Sequence, residues 1–512
     1  MHRFAVRVTT TAGTVEGYTQ DGVHRWRSIP YARPPIGLLR FRAPRPPQPW
    51  SGVRHCRTFG ACAPQERRYT AMGVGKYQRM DEDCLTLNVV TPEVWDDQPL
   101  PVMVFIHGGA YMFGSSATPV YDGAALARRG CVYVSVNYRL GALGCIDLSS
   151  LSTSDVTIES NLFLRDLLMA LRWVQDNVAA FGGDPDNVTL FGESAGAHAI
   201  ATLLAVPAAE GLFTRAISQS PVTALARPRE VTAEFASRFA TLLGGRTRRE
   251  AHALMQASPA ALVAAQGHLI DEAMRSMMGS VPLGPVFGDD VLPMEPIEAM
   301  RRGRSHRIPL IVGTNADEAR LFTRFLPLLP TTEPKIEALL AGVEPIDRQR
   351  IINAYPGYPR RSACIRFGGD FAFGAAAWEI ADAHGKSAPV YLYRYDYAPR
   401  VLRWSGLGAT HGTELLALFD LYRTKSGSLL RVGADRRSAL RVSDEMQRRW
   451  HAFSRLGMPG ADWPTYTSTD RAVMVFDSEL RIELDPHRER REAWQGFAFV
   501  RSPHEDLDAD AE

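Results

Sequence analysis

The sequence is short of cysteine and of net charge. Its 512 residues contain six cysteines, and no two of them stand in a Cys-x-x-Cys pair. That is too few for a disulfide scaffold, and it encodes no structural zinc site. Lysine and arginine number 58 against 56 aspartates and glutamates, a formal net charge of +2. A protein that neutralises many phosphates or coats an anionic membrane needs a larger positive excess, so we expect neither nucleic acid nor a membrane as a partner.

Long apolar runs are absent as well. The most apolar stretch, residues 102–106, ends in His-Gly-Gly, whereas a membrane-spanning helix needs about 18 uninterrupted apolar residues. Residues 1–18 alternate polar and apolar side chains and contain no stretch that could serve as the apolar core of a signal peptide. We therefore expect a soluble chain that stays in the cytoplasm.

What the sequence does contain is enough apolar material for a large core. Hydrophobic residues make up 45% of the chain and charged residues 22%, which is ordinary for a globular protein and unlike a disordered one. Neither an internal repeat nor a flexible linker divides it. We predict a single domain over residues 1–500, with a β-rich N-terminal part, followed by an acidic C-terminal tail at 501–512.

Short apolar runs alternate with helical segments from residue 84 onward. Residues 161–181 carry leucines at helical spacing and end at Gly182 and Gly183, a helix stop signal. A long helix between two buried strands implies a parallel crossover. The charged run at 488–492 predicts a solvated helix face. The whole pattern predicts an α/β fold with a large, mostly parallel central sheet, helices on both faces and helical insertions at 229–266 and 333–354; the predicted strands are 85–90, 102–106, 132–137, 188–191, 308–312, 390–395 and 473–477.

One Gly-x-Ser-x-Gly pentamer, residues 192–196, lies directly after the predicted strand at 188–191 and before an Ala/Leu-rich helical run. The motif requires a turn so sharp that only small neighbours tolerate it, and it lifts the serine hydroxyl clear of the strand. The helix that begins there directs its positive end at any negative charge that develops on an attacked carbonyl. We therefore predict that Ser194 is a nucleophile.

A second loop supplies the donors that acyl transfer needs. Ile-His-Gly-Gly-Ala at 106–110 follows a predicted strand, and its small residues would let backbone amides approach an oxyanion closely. The alternative to an oxyanion loop, a plain turn at the two glycines, is much less favoured once the serine motif is present. We expect an oxyanion hole in this loop.

A serine hydroxyl needs a base, and the base needs an acid. In a doubly wound hydrolase the partners follow in the order serine, acid, histidine. His411 lies in a glycine-rich loop, 406–412, between a predicted strand and a helix, so it is the favoured base. The loop after the strand at 308–312 contains two neighbouring carboxylates, Asp317 and Glu318. The spacing alone leaves open which of them orients the histidine.

With these residues the sequence resembles the type B carboxylesterase and cholinesterase family, and in particular its bacterial para-nitrobenzyl-esterase-like members. The resemblance covers nearly the whole chain and implies the α/β-hydrolase fold. The matching segments are Phe-Gly-Glu-Ser-Ala-Gly at 191–196, Glu-Asp-Cys-Leu-Thr-Leu-Asn-Val at 82–89, Ile-Pro-Tyr-Ala-Arg-Pro-Pro-Ile-Gly at 29–37, Asn-Tyr-Arg-Leu at 137–140, Phe-Gly-Gly-Asp-Pro at 181–185 and Gly-Ala-Thr-His-Gly at 408–412.

The resemblance also implies roles for individual residues. It makes Glu318 the acid and leaves Asp317 a structural residue. It implies oxyanion donors from the amides of Gly109, Ala110 and Ala195, where Ala110 stands at a position often occupied by glycine. It further implies that Glu193 is the acidic residue beside the nucleophile and that Ser220 is a hydroxyl close to the triad.

The chain departs from its eukaryotic relatives in two places. The loop between Cys62 and Cys84 has no tryptophan that could hold a quaternary ammonium, which disfavours choline esters. Ala319 stands where the family commonly has glycine, and Arg320 follows it, so the acyl pocket near Leu321 and Phe322 is expected to differ in shape and polarity. Whether the two cysteines form the family's disulfide stays open.

These observations predict a serine carboxylesterase. Ser194 would attack a carboxylic ester, His411 would take its proton, Glu318 would orient His411, and an acyl-enzyme would form. We expect a small-molecule ester as the substrate and expect no metal and no cofactor. Two alternatives are a catalytically silent binding protein on the same fold and an amide or carbamate hydrolase using the same site. The sequence predicts no oligomeric state.

Overall fold

The structure, a computed structural model of the chain, describes residues 5–96, 98–222, 226–245, 249–276, 281–424, 427, 436–497 and 499. The predicted acidic tail at 501–512 lies outside the described residues, and the single domain over 1–500 stays a prediction. No helix in the described part of the chain is long and apolar enough to cross a bilayer. Its six cysteines are buried free thiols, and burial raises the pKa of Cys62 to about 11.

A large sheet forms the centre of the protein. Its order is β1-β2-β3-β7-β9-β8-β10-β11-β14-β15-β16-β17, with β4 beside β2. The strands from β9 to β16 in this order are parallel, and the strands at both edges are antiparallel. The strands are β1 (Ala5–Thr10), β2 (Gly13–Gln20), β3 (Val23–Pro30), β4 (Val53–His55), β5 (Ala71–Gly73), β6 (Lys76–Tyr77), β7 (Thr86–Pro92), β8 (Leu100–Ile106), β9 (Val132–Val136), β10 (Gly183–Glu193), β11 (Arg215–Gln219), β12 (Arg227–Pro228), β13 (Val286–Phe287), β14 (Leu310–Asn315), β15 (Val390–Tyr395), β16 (Ala472–Phe476) and β17 (Arg481–Leu484).

Helices connect the strands and cover the sheet. A π-helical turn, Asp370–Gly374, joins two of them, α10 and α11, into one longer helix. The helices are α1 (Ala124–Ala127), α2 (Leu162–Asn177), α3 (Ala195–Leu203), α4 (Arg229–Leu242), α5 (Glu250–Gln256), α6 (Pro259–Ser276), α7 (Pro296–Arg301), α8 (Glu333–Leu340), α9 (Pro345–Asn353), α10 (Arg361–Gly369), α11 (Ala375–His384), α12 (Arg400–Trp404), α13 (Glu414–Leu418), α14 (Arg436–Leu456) and α15 (Arg488–Trp494).

The parallel strands are apolar on both faces, which divides the core into two layers. Along β10, Leu190 packs with α2, α3 and α4 on one face, while its neighbour Phe191 packs with α13 and α14 on the other. Along β14, Leu310 and Ile311 likewise pack on opposite faces of the sheet. Successive side chains of a strand point to opposite faces, so a fully apolar strand must be covered on both. The predicted mostly parallel sheet with helices on both faces is confirmed.

The predicted solvated face of the charged run at 488–492 is only partly correct. The run forms α15, and Arg491 is buried against Asp485, whose carboxylate it contacts at 2.7 and 2.9 Å. Trp494 at the end of the helix packs on Phe367 of α10. A helix that carries one buried arginine and one buried tryptophan is held against the protein on one side. The sequence pattern gave no sign of this packing because the helix is so short.

A buried ion pair ties the N-terminal part of the chain to the sheet. Arg139, just after β9, contacts both carboxylate oxygens of Asp166 on α2 at 2.6 and 2.8 Å, and both side chains are almost fully buried. Arg139 also donates to the carbonyl of Arg42 at 2.8 Å. A buried pair of this kind stabilises little by itself, but removing one partner strands the other charge in the interior.

We expect Asp166→Asn to lower the free energy of unfolding by about 3 kcal/mol, because Arg139 would stay buried without its counter-charge. Denaturant unfolding of the two proteins measures the difference. Asp290→Asn is the matched control, since Asp290 pairs with Arg165 at 2.7 Å but is largely exposed, and we expect it to cost less than about 1 kcal/mol. Equal losses in the two variants would contradict the importance of the buried pair.

Candidate active site

Ser194 lies in a strained bend between a strand and a helix. It follows β10, precedes the first residue of α3, and has φ 60° and ψ −124°, a conformation that non-glycine residues rarely adopt. The bend brings α3 so close to β8 that a Cβ on Gly196 would lie 2.1 Å from the carbonyl oxygen of Ile106. Only glycine fits there. The serine is almost fully buried, and its amide donates to the Gln219 carbonyl at 2.9 Å.

The loop after β8 runs against this bend. A Cβ on Gly108 would lie 2.9 Å from Cβ of Ser194, so the two backbones can approach only because Gly108 has no side chain. Among the described residues, the amides of Gly109 and Ala110 have no hydrogen-bond partner. Ala195 is the first residue of α3, where amides lack intrahelical acceptors. The three amides predicted as oxyanion donors are therefore available to an acceptor.

Ala110 occupies the left-handed region, with φ 52°. This conformation costs an alanine on the order of 1 kcal/mol relative to glycine. The family resemblance marks Ala110 only as standing at a position often occupied by glycine. The structure adds that alanine holds this amide at the expense of backbone strain.

Glu318 and His411 are in direct contact. The Nδ1 atom of His411 lies 2.6 Å from Oε2 of Glu318. The other oxygen of the carboxylate accepts a hydrogen bond from the Ser220 hydroxyl at 2.6 Å and one from the backbone amide of Asn315 at 2.7 Å. Ser220 and Asn315 lie at the carboxyl ends of the neighbouring strands β11 and β14. Glu318 is thus held in place by donors from two adjacent strand ends, and it can fix the orientation of the imidazole.

The structure does not bring Asp317 to the imidazole. Its carboxylate pairs instead with Arg320, Oδ1 to Nη2, at 2.8 Å. The guanidinium group of Arg320 is therefore directed to Asp317. Of the two acids that spacing left open, the contact with His411 belongs to Glu318.

The second nitrogen of the imidazole faces another carboxylate. The Nε2 atom of His411 lies 3.0 Å from Oε1 of Glu193, the residue before the serine. No hydrogen bond joins His411 to the hydroxyl of Ser194 among the described residues. Burial alone would lower the pKa of His411, but Glu193 and Glu318 outweigh it and hold this pKa well above its ordinary value. The two carboxylates therefore stabilise the imidazolium relative to the neutral ring.

Two phenylalanines cover the imidazole ring. Phe322 lies with its ring centroid 5.2 Å from that of His411, and Phe373 stacks on the same ring at 4.3 Å and 29°. The amide of Leu321 donates to the hydroxyl of Thr410 at 2.8 Å, which ties this loop to the loop of His411. Leu321 and Phe322 were predicted to shape the site, whereas Phe373 was missed. It lies in the π-helical turn 370–374, a local irregularity that side-chain periodicity does not reveal.

Glu414 is a further buried acid that the sequence reasoning did not assign. It follows His411 by three residues, opens α13 and is fully buried. It accepts from Asn315 at 2.7 Å and from Gln219 at 3.3 Å. Burial, and then the charges of Glu193 and Glu318, raise the pKa of Glu414 to about 8. The only sequence signal was an acid close to the histidine at the start of a helix, which is also an ordinary helix N-terminus.

This arrangement is that of an acyl-transfer site. It combines a hydroxyl on a tight bend, free amides on two sides and an imidazole oriented by a carboxylate. Among the described residues no group of three or more His, Cys, Asp or Glu side chains has an arrangement that could hold a metal ion.

Comparisons with known proteins agree with this chemistry. A sequence model of the carboxylesterase family matches residues 5–342 and 353–494. The para-nitrobenzyl esterase of Bacillus subtilis (strain 168) is 36% identical over 501 residues, 95% of this chain and 97% of that protein. The phenmedipham hydrolase of Pseudarthrobacter oxydans is 35% identical, covering 92% of this chain and 94% of that one.

Solved structures are similar over the same length. A structure of a PNB esterase superposes with a TM-score of 0.85 at 35% identity, covering 97% of this chain and 99% of the other. A carboxylesterase of Geobacillus stearothermophilus gives a TM-score of 0.81 at 34% identity, covering 96% of this chain and all of the other. The likeness therefore extends to the fold as a whole.

The pKa of Glu414 predicts a pH dependence of stability. Because the folded pKa of about 8 lies above the ordinary 4.5, the folded chain retains a proton that the unfolded chain releases. The stability from this proton is full below about pH 4.5 and is lost as the pH rises through about 8. We expect Glu414→Gln to remove this loss, up to roughly 1 kcal/mol per pH unit between those values.

Denaturant unfolding at a series of pH values measures this difference. Glu210→Gln, at an exposed glutamate, is the control and should follow the original protein at every pH. A Glu414→Gln curve that runs parallel to that of the original protein would show that Glu414 ionises normally.

Proposed function

Because the chain belongs to the carboxylesterase family and has the α/β-hydrolase fold, we propose that Ser194, His411 and Glu318 are the triad with which it hydrolyses carboxylic esters. The enzyme is a serine carboxylesterase, and its substrate is a small-molecule ester. The observation that carries the assignment of residues is the 2.6 Å contact between His411 and Glu318 beside the strained bend of Ser194.

In the proposed reaction, Oγ of Ser194 attacks the ester carbonyl carbon while its proton moves to Nε2 of His411. The carbonyl oxygen becomes an oxyanion and accepts from the amides of Gly109, Ala110 and Ala195. Collapse of this intermediate breaks the bond to the alcohol, which leaves with the proton from His411. An acyl group then remains on the serine.

Water completes the cycle. His411 takes a proton from the water as it attacks the acyl carbon, and it returns that proton to the serine as the acid is released. Glu318 keeps Nδ1 of the imidazole protonated and stabilises the imidazolium in both halves. Ser220 supports this role by donating to Glu318, which keeps the carboxylate from turning away.

Glu193 has a different part in the proposal. Its carboxylate contacts Nε2, the nitrogen that must accept the serine proton. Proton transfer therefore requires that the imidazole exchange its contact with Glu193 for one with the serine hydroxyl. We assign Glu193 to the substrate side of the site, where its charge stabilises the imidazolium as it forms.

The acyl side of the substrate meets an apolar wall. Phe322 packs directly on the imidazole, and Leu321 belongs to the same apolar cluster. We propose that these two side chains contact the acyl group, since they lie on the loop that also carries Glu318. A polar or charged acyl chain would be disfavoured there.

Ser194→Ala tests the nucleophile. We expect kcat for a short-chain para-nitrophenyl ester to fall on the order of 10⁶-fold, because no other group forms the acyl bond. A fluorophosphonate probe should label the original protein and not the variant. Ser218→Ala is the matched control, since Ser218 lies on neighbouring β11 and donates only to the Ala197 carbonyl at 3.0 Å. Activity that survives in Ser194→Ala would refute the assignment.

A pair of neighbouring substitutions tests the acid. Glu318→Gln keeps the shape but removes the charge that orients the imidazole, and we expect kcat to fall by roughly 10³ to 10⁴. Asp317→Asn should lower kcat by less than about tenfold, because its partner is Arg320 and not the imidazole. Both are measured with the same ester, with folding checked by circular dichroism. The reverse ranking would exchange the two roles.

A further inference from the structure

A cavity of about 680 Å³ lies beside the proposed triad without containing Ser194 or His411. Its floor is formed at the carboxyl ends of β14 and β15, around Asn315 and Arg394. The loop at 317–324, the helical segment 361–378 and residues 486–490 form its walls. In open α/β sheets the carboxyl ends of parallel strands are where ligands bind. A volume of this size is ordinary for a small-molecule site, for which 300 to 1,000 Å³ is roughly the usual range.

The lining of the cavity is rich in arginine. Six arginines line it, against four acidic residues: Asp317, Glu318, Asp370 and Asp396. The carboxylate of Glu318 is occupied by His411 and its donors. Cations therefore outnumber the acids that face the cavity, the arginines being Arg320, Arg324, Arg361, Arg366, Arg394 and Arg490.

Three of these arginines are already paired within the protein. Arg394 holds both carboxylate oxygens of Asp396 at 2.6 and 2.7 Å, and Arg490 contacts Asp370 at 3.0 Å. Arg320 is paired with Asp317. These side chains are fixed by their partners, so they form a rigid polar wall.

The other three, Arg324, Arg361 and Arg366, have no carboxylate within 4.0 Å among the residues that the structure describes. All three are exposed at the rim of the cavity. Arg366 donates only to the Pro356 carbonyl at 3.3 Å. Arg361 is the first residue of α10, whose positive end adds to the potential. Three guanidinium groups without an ion-pair partner among the described residues thus surround one opening.

His487 lies among the arginines inside the cavity. Its ring lines the cavity and accepts from Arg394 at 3.1 Å. Burial, and then the charges of Arg490 and Arg394, lower the pKa of His487 to about 3. The imidazole is therefore neutral at ordinary pH, chiefly because it is buried and to a lesser degree because two arginines face it.

We propose that this cavity binds a small polyanion, a molecule with two or more carboxylate or phosphate groups, distinct from the ester that reacts at Ser194. Guanidinium groups match both kinds of oxyanion with two parallel hydrogen bonds. Three unpaired guanidinium groups at one opening can each meet a different charge of such a molecule, whereas a neutral molecule would leave all of them without a partner. The cavity lies next to the loop of Glu318 but does not contain Ser194. A ligand bound in the cavity would therefore leave the ester site free.

Titration calorimetry tests the proposal, with citrate and inorganic pyrophosphate as the two probes at constant ionic strength. We expect one equivalent to bind with Kd below about 1 mM, and the ratio of the two affinities distinguishes a carboxylate ligand from a phosphate ligand. Arg324→Gln and Arg361→Gln should each weaken binding about tenfold. Protein with its serine blocked by a fluorophosphonate should bind as well as free protein, because the cavity does not contain Ser194.

Arg304→Gln is the matched control, since Arg304 is exposed, has no ion pair among the described residues and lies outside the cavity. It should leave the Kd unchanged, and thermal unfolding checks that all variants are folded. The proposal is overturned if neither anion binds saturably below about 10 mM, if the cavity and control variants bind alike, or if blocking the serine abolishes binding. These measurements need no catalytic activity, so their outcome is independent of whether the proposed triad is correct.

Discussion

The arrangement of His411 among three buried carboxyl groups is the constraint on which the active site depends. Two of the acids, Glu193 and Glu318, contact its two ring nitrogens. Two buried negative charges cannot persist beside each other without compensation, so the imidazole is driven toward its cationic form. The third acid, Glu414, contacts no cation among the described residues, and burial raises its pKa to about 8. The imidazole thus compensates the charges of the two carboxylates that contact it.

The central sheet makes this cluster possible. The groups that hold the acids, Gln219, Ser220 and Asn315, come from the carboxyl ends of two adjacent parallel strands, β11 and β14. Parallel strands end at the same edge, so polar groups from distant parts of the chain converge there. Next to these ends, Ile217 of β11 and Ile311 of β14 pack in the apolar core and give the strands rigid support. Donors on strand ends hold the acids more firmly than donors on mobile loops would.

The same edge of the sheet carries two different environments. On one side of the loop at 317–320, Glu318 reaches the imidazole, and on the other, Asp317 pairs with Arg320 at the wall of the arginine-rich cavity. Successive residues of a short loop can face opposite sides, so two neighbouring acids serve two sites. Asp317 and Glu318 are both a suitable distance along the chain from β14. Sequence spacing alone therefore could not identify which of them orients the imidazole.

The sequence by itself determined what depends on local geometry. The bend at Ser194, the small residues at 108–110 and the glycine-rich loop before His411 are encoded within a few residues each, since a tight turn needs particular residues at particular places. Seven strands of the sheet and the long helix α2 were likewise readable from apolar periodicity, whereas the central strand β11 was not. Only the tertiary structure decided the rest: the contact of Glu193 with the imidazole, the stacking of Phe373, the raised pKa of Glu414 and the cavity assembled from four separate segments. Each of these features depends on which strands are neighbours and how the helices pack. The local sequence around a residue does not show which distant residues will contact it in the folded protein.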